Sequence, residues 1–273
     1  MTSQTAQSVR TRDQVAARLE QELLSGNLEP GTKLPSERQL AQRLGVSRPL
    51  VREALRTLVA HGLIEIAPGR GAFVREACAI QASRPIETLY RRRQVTPRDL
   101  QEARLMVEPA AVSHACTRAD EDEIEALAAA LDRFDSAGDA VERARWDVTA
   151  HALIARMSHI PVIETTFSSM ATLIFELMLR SLNDPKVRRE GAPYHHAILA
   201  AIRAREPEAG RRAMVDHLAV ANRTYGADLD RSLDLVARRE VERVLGPAVT
   251  LESILEGIAI ARLPLETQEI LGA

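Results

Sequence analysis

The sequence predicts a mainly α chain in two parts, an amino-terminal winged helix-turn-helix followed by a carboxy-terminal all-α helical bundle. Three observations carry this. Leu34 to Val74 read as two capped helices followed by a glycine-rich hairpin, while from Pro85 onward apolar residues recur at helical spacing with no convincing alternating strand. The third is charge. Residues 1–75 hold eleven Lys or Arg against seven Asp or Glu and the remainder holds 25 against 31, so a net charge of −2 conceals a basic part joined to an acidic one. A basic part suits a polyanion, and an acidic neighbour discourages indiscriminate binding elsewhere.

Taken in order, Arg12 to Leu24 form the first helix, with Val15, Leu19, Leu23 and Leu24 on its inner side and Gly26 as its stop. Ser36 with Gln39 three residues on is a capping box, which satisfies orphan amide donors and starts a second helix from Glu37 to Leu44. Gly45 permits the positive φ of a tight turn, Val46 turns inward, and Ser47 caps a third helix whose Pro49 sits where no donor is missed. That helix runs to about His61. Val51, Ala54, Leu55, Leu58 and Val59 make its core face, and Arg48, Arg52 and Arg56 lie opposite. Leu63 to Ile66 and Ala72 to Val74 are two short strands joined through Pro68, Gly69, Arg70 and Gly71, which makes the wing.

Guanidinium forks on an exposed helix face suit guanine edges and phosphates, so Arg48 and Arg52 are the base-reading candidates. Arg70, between two glycines that let the backbone approach closely, is placed to enter a minor groove or grip phosphates. A row of arginines alone is more often a solvated face. Here the caps, turn and hairpin around it favour DNA.

Residues 76–84 lack a period and are expected to link a domain at 1–75 to a helical domain at 85–225. The helices expected there are Pro85–Arg93, Pro97–Thr117 behind a Thr96 cap, Asp120–Ser136, Asp139–Met157, Val162–Asn183, Ala192–Arg205 and Pro207–Tyr225. Arg91, Arg92 and Arg93 are expected to be a solvated helix end. Residues 226–273 carry apolar positions such as Leu233, Leu235, Val236, Val241 and Ile254 that suggest at least one more helix, with packing on the bundle as the conservative role. The lack of a charged-then-apolar leader and of an apolar run of membrane-spanning length leads to the expectation of a cytoplasmic protein without a membrane partner. Cys78 and Cys116 match no zinc or redox spacing and are expected to be reduced bystanders.

Asp147 and His151, four apart on an expected helix, emerge from one face about a turn apart. His195 and His217 follow on later helices, each beside apolar residues that face a bundle interior. Three imidazoles and a carboxylate suit a borderline divalent cation such as zinc, nickel or manganese and leave positions for water or a ligand carboxylate. An open site of that kind senses or catalyses. HExxH, GxSxG and Walker patterns are absent, which makes a metal-dependent enzyme the minority reading beside a complete DNA reader.

The stretches LPSERQLAQRLGVSRPLVREALRTL and PGRGAFV resemble the GntR family of bacterial transcription regulators. That resemblance implies a homodimer on a palindromic double-stranded DNA operator, contacted by Arg38, Arg48 and Arg52, by Gly69 and Arg70 on the wing, and by Ser47 at a phosphate. Asp147, His151, His195 and His217 resemble the ligand pattern of the all-helical FCD effector domain of the FadR branch. The family pattern HxxILxAI, laid on HHAILAAI, selects His195 over His196. By the same resemblance, Arg104 in EARLMVEPAAVSHA holds an effector carboxylate or orients Asp147; a salt bridge to Glu108 one turn on is the equal alternative. The implied protein is an effector-responsive regulator, a repressor, with one divalent transition metal per chain and a small organic acid as effector. Fatty-acyl-responsive relatives have apolar pockets without these ligands, and the four positions present here argue against that metal-free type. One departure is SHIPVIE at 158–164, where relatives carry a Gly-Asn-Pro turn.

Overall fold

Capping chemistry sets the helix starts of the amino-terminal part. Helices α1 (Arg12–Ser25), α2 (Glu37–Leu44) and α3 (Arg48–Ala60) are followed by strands β1 (Ile64–Ala67) and β2 (Gly71–Val74). The computed structural model describes residues 11–25, 28–75, 84–182, 185–225 and 228–236. Ser36 and Gln39 form the reciprocal box at α2, Gly45 ends that helix at φ 66°, and the Ser47 side chain accepts the Leu50 amide at the start of α3. The strands pair antiparallel from Ile64 opposite Val74 to Ala67 opposite Gly71, and Lys33 adds a bridge to Phe73 on the free side of β2. Val15, Leu19, Leu40, Val51, Ala54, Leu55, Leu58 and Ile64 form the core.

Two apolar residues assigned to that core lie outside it. Leu24 is 73% exposed and Val59 38% exposed. Each sits one position past a residue that packs inward, Leu23 or Leu58, and one position is about 100° around a helix. The strands also begin and end one residue later at the β1 side than the sequence suggested, with Leu63 donating its amide to Leu58 before the sheet starts.

The chain divides into two units, Met1–Ala82 and Ser83–Ala273. In the second, α4 (Arg84–Arg92), α5 (Pro97–Arg118), α6 (Glu121–Ser136), α7 (Ala140–Met157), α8 (Pro161–Leu182), α9 (Pro185–Arg203) and α10 (Pro207–Tyr225) pack as a bundle. Capping boxes at Thr96 with Asp99 and at Asp120 with Glu123 start α5 and α6, and Asp139 caps α7. Helix α7 turns out through His159 at φ 50°, where a glycine would be unstrained, and the imidazole of His159 pairs with Glu123 at 2.9 Å. Helix α9 starts at Pro185, not at Ala192. Gly191 and Pro193 read locally as stops, yet Gly191 is buried in the bundle and packing outweighs propensity.

Helix α8 corrects a further expectation, because its 22 residues are long and apolar enough to cross a membrane. Of the stretch that qualifies, 72% is buried in the bundle, and helices α4, α5, α7, α9 and α10 pack around it. Its apolar character is that of a central core helix. Helix α10 crosses α5 at Gly210, where an added Cβ would stand 2.6 Å from Val112 Cγ1 and 3.0 Å from Cys116 Sγ.

Arg91 is also not solvated. Half-buried at the end of α4, it donates to Glu87, to Glu176 of α8 at 2.7 Å and to Asp234. Asp234 belongs to a segment, 228–236, that runs back along the bundle. Within it Asp230 receives both forks of Arg98 at 2.6 and 3.0 Å, Asp228 receives Arg180, and the Leu233 amide donates to Val95 at 2.8 Å. Leu233 and Val236 are buried and Leu235 is exposed. Cys78, Val241 and Ile254 lie outside the described residues.

Candidate DNA-reading surface and metal centre

In the first unit the polar face of α3 is laid down by the same periodicity that fills the core. Arg48, Arg52 and Arg56 are all exposed on it, Arg38 is exposed in the first turn of α2, and Ser47 caps α3 between them. Arg52 is held: its Nε donates to Glu37 Oε1 at 2.9 Å and its Nη2 to Oε2 at 2.8 Å. The Glu37 carboxyl lies below its ordinary range, chiefly through that bond to Arg52. At the wing tip Gly69 and Gly71 have φ of 72° and 115°, which only glycine adopts without strain, and exposed Arg70 between them lies over the Phe73 ring at 5.5 Å. Lys33 approaches the same ring, a wing cation the sequence did not single out.

In the second unit α7, α9 and α10 bring Asp147, His151, His195 and His217 together, each offering one ligand atom within 4.8 Å of the others. Asp147, His151 and His195 are buried and His217 is partly so. His151 Nε2 faces His217 Nε2 at 3.2 Å, and His195 Nε2 lies 3.1 Å from Asp147 Oδ1 but off the hydrogen-bond axis. Asp147 Oδ2, both ring nitrogens of His195 and Nδ1 of His217 are buried without a hydrogen bond, at a cost that native interiors seldom carry. His196, by contrast, is exposed and pairs with Asp135.

The surroundings set the charge state of this cluster. Burial, with His195, His151 and Arg104 adding to it, pushes His217 well below its ordinary pKa, so the ring is neutral and its lone pair available. Burial would raise the Asp147 carboxyl, but His195, His151 and Arg104 outweigh it and keep the group ionised. Glu108, on α5, accepts from the Arg104 guanidinium and pairs with His151 Nδ1, and although burial opposes it these two partners lower its pKa to about 2. With Nδ1 engaged by Glu108, His151 turns Nε2 toward the other ligands, the arrangement by which outer-shell carboxylates orient metal-binding histidines. The donor set and its unsatisfied atoms therefore fit a borderline divalent cation.

A cavity opens beside the cluster, lined by Arg104, Asp147, His195 and His217 at its polar end and by apolar side chains including Phe134 and Met178.

Comparison with known proteins follows the same division. The family model "Bacterial regulatory proteins, gntR family" matches residues 11–74, and the FCD domain model matches residues 99–220. The transcriptional repressor NanR of Klebsiella aerogenes is 30% identical over 227 residues, which cover 79% of this chain and 85% of that protein. The chain belongs to the GntR family. The Glc operon transcriptional activator of Escherichia coli strain K12 is 29% identical over 214 residues, 75% of this chain and 84% of that one. Among solved structures, the Streptococcus agalactiae GntR superposes with a TM-score of 0.61 at 24% identity, covering 78% of this chain and all of that one, a likeness of fold.

For this GntR-family chain, Arg104 makes the salt bridge considered for it. It is buried against Glu108 and also lines the cavity. Glu108 is the residue that sequence reasoning left out as a participant in the cluster. Its tie to His151 spans 43 residues, a separation no local pattern reveals.

Proposed function

We propose that this GntR-family regulator is a dimeric, cytoplasmic, metal-assisted sensor that changes its grip on a palindromic operator when a small carboxylate binds the FCD domain. The observation that supports the reading is the set of buried, unpartnered ligand atoms on Asp147, His195 and His217 beside an oriented His151. Those four side chains would hold one zinc, nickel or manganese ion, which when bound would act as a Lewis acid and a point of positive charge for an anionic effector. Charge count favours a monoanion. The buried carboxylates of Asp147 and Glu108 against the single guanidinium of Arg104 leave one net negative charge, a dication reverses it, and a monocarboxylate closes the balance. Arg104, which pairs with Glu108 and lines the cavity, would hold the effector carboxylate or orient Asp147. Arg38, Ser47, Arg48, Arg52, Gly69 and Arg70 would form the operator-contacting surface.

The sign of regulation is proposed as repression relieved by effector. The relatives carry both signs in their names, repressor and activator, so the sign is read from a promoter fusion. The site itself is tested by elemental mass spectrometry of tag-free protein purified without chelator. About one divalent ion per chain, lost in His195→Ala, is the expected result. Its continued presence in that variant would remove His195 from the ligand set, and a wild-type chain that takes up no zinc, nickel or manganese would sink the metal-assisted reading while leaving the DNA reader standing.

A further inference from the structure

We propose that Glu37 is a specificity-determining residue of the DNA reader, occupying the fork edge of Arg52 so that only a matched pair of base acceptors can claim it. This rests on the reading of α3 as the base-contacting helix. The ion pair joins two helices across 15 residues of sequence and is bidentate, Nε to Oε1 at 2.9 Å and Nη2 to Oε2 at 2.8 Å. The other carboxylate on this face, Glu53, pairs with Arg56 through a single bond at 2.7 Å three residues along the same helix, an ordinary surface contact. Glu37 sits in the first turn of α2, where the helix dipole favours a negative charge, and Arg48 and Arg56 add to the positive field around it.

The side edge that Glu37 takes, Nε with Nη2, is one of the two that a guanidinium can offer to a phosphate or to guanine O6 and N7. With that edge taken and its charge compensated, Arg52 contributes little to phosphate binding, which is the sequence-independent part of affinity. A guanine edge presents two acceptors in the fork's own geometry and can replace the carboxylate; a phosphodiester, whose two oxygens also fit the fork, must displace Glu37 for a contact that the other exposed arginines make without that cost. Glu37 therefore lowers affinity for mixed-sequence DNA more than affinity for the operator.

The test selects binding sequences from a randomised duplex pool with the full-length chain, Glu37→Gln, Glu53→Gln and Arg52→Lys, and measures each protein's affinity for a mixed-sequence duplex against salt. Glu37→Gln should bind the mixed duplex on the order of tenfold tighter, with a salt slope steeper by about one contact. Its selected sequences should lose base preference at one symmetry-related pair of positions. Arg52→Lys, which keeps the charge and loses the fork, should lose preference at the same pair. Glu53→Gln removes the same formal charge and should leave base preference as in wild type. Wild-type enrichment with unchanged preference in Glu37→Gln, or the same relaxation in Glu53→Gln, would overturn the assignment. If the wild-type chain enriched no sequence, the reading of α3 as a DNA reader would fall, and the role of Glu37 with it.

Discussion

The two units hold their candidate functional residues in opposite ways. In the first, Arg38, Arg48, Arg52 and Arg70 lie on the surface, and Arg52 gives one edge of its guanidinium to Glu37. In the second, Asp147, His151 and His195 are buried among apolar side chains and several of their polar atoms have no hydrogen bond. A surface residue can be exchanged with little effect on folding, because water takes over what it loses. A buried polar cluster is part of the core, so its function and the stability of the unit are coupled.

The strongest test of that contrast is Glu108→Ala. It leaves Arg104, 1% exposed, without its carboxylate and frees the His151 ring, so unfolding free energy should fall by about 3–5 kcal/mol in urea titration. Metal affinity should fall about 10–100-fold as well. A loss below about 1 kcal/mol would show that the buried cluster is not coupled to the core.

Metal addition probes the same coupling from the other side. A divalent ion at a hundred times its dissociation constant should stabilise the wild-type chain by about 2.7 kcal/mol, seen as a chelator-reversible rise in melting temperature. His195→Ala should not show that rise. Gly210→Ala comes next, since its Cβ would press on Val112 Cγ1 at 2.6 Å; an overpacking cost of about 1–3 kcal/mol is expected with metal content unchanged. The smallest stability effect belongs to Arg52→Ala. Its melting should shift by no more than about 0.5 kcal/mol, while operator affinity drops by about 1–3 kcal/mol in a mobility-shift titration. Unfolding on that substitution would erase the distinction between the units.

The parts of the fold written in local chemistry were legible in the sequence. Ser36, Ser47, Thr96 and Asp120 announce helix starts because a cap involves residues only three positions apart. The choice of His195 over His196 as a candidate ligand came from a family pattern, since the two differ locally by nothing that decides which ring turns inward. The remainder depended on distant partners. Arg91 reads as a solvated end until Glu176 and Asp234, 85 and 143 residues away, are brought to it. His159 looks like a departure from a Gly-Asn-Pro turn, yet it adopts the left-handed backbone that glycine would supply. Leu24 and Val59 show the limit of a periodic pattern near a helix end, where an apolar residue one position on turns away from the core.

The pairings of Asp228, Asp230 and Asp234 decide where the second unit can be divided. The stretch recognisable as an FCD domain runs from 99 to 220 and contains all four candidate ligands. It omits α4 and the three aspartates that receive Arg180, Arg98 and Arg91. A fragment trimmed to the recognisable limits keeps the candidate ligand residues but strips Arg91 from Glu176, a carboxylate that is 6% exposed. The ion pairs of this unit thus extend past both limits of the part that sequence similarity marks out, and the two flanks meet through Arg91 and Asp234.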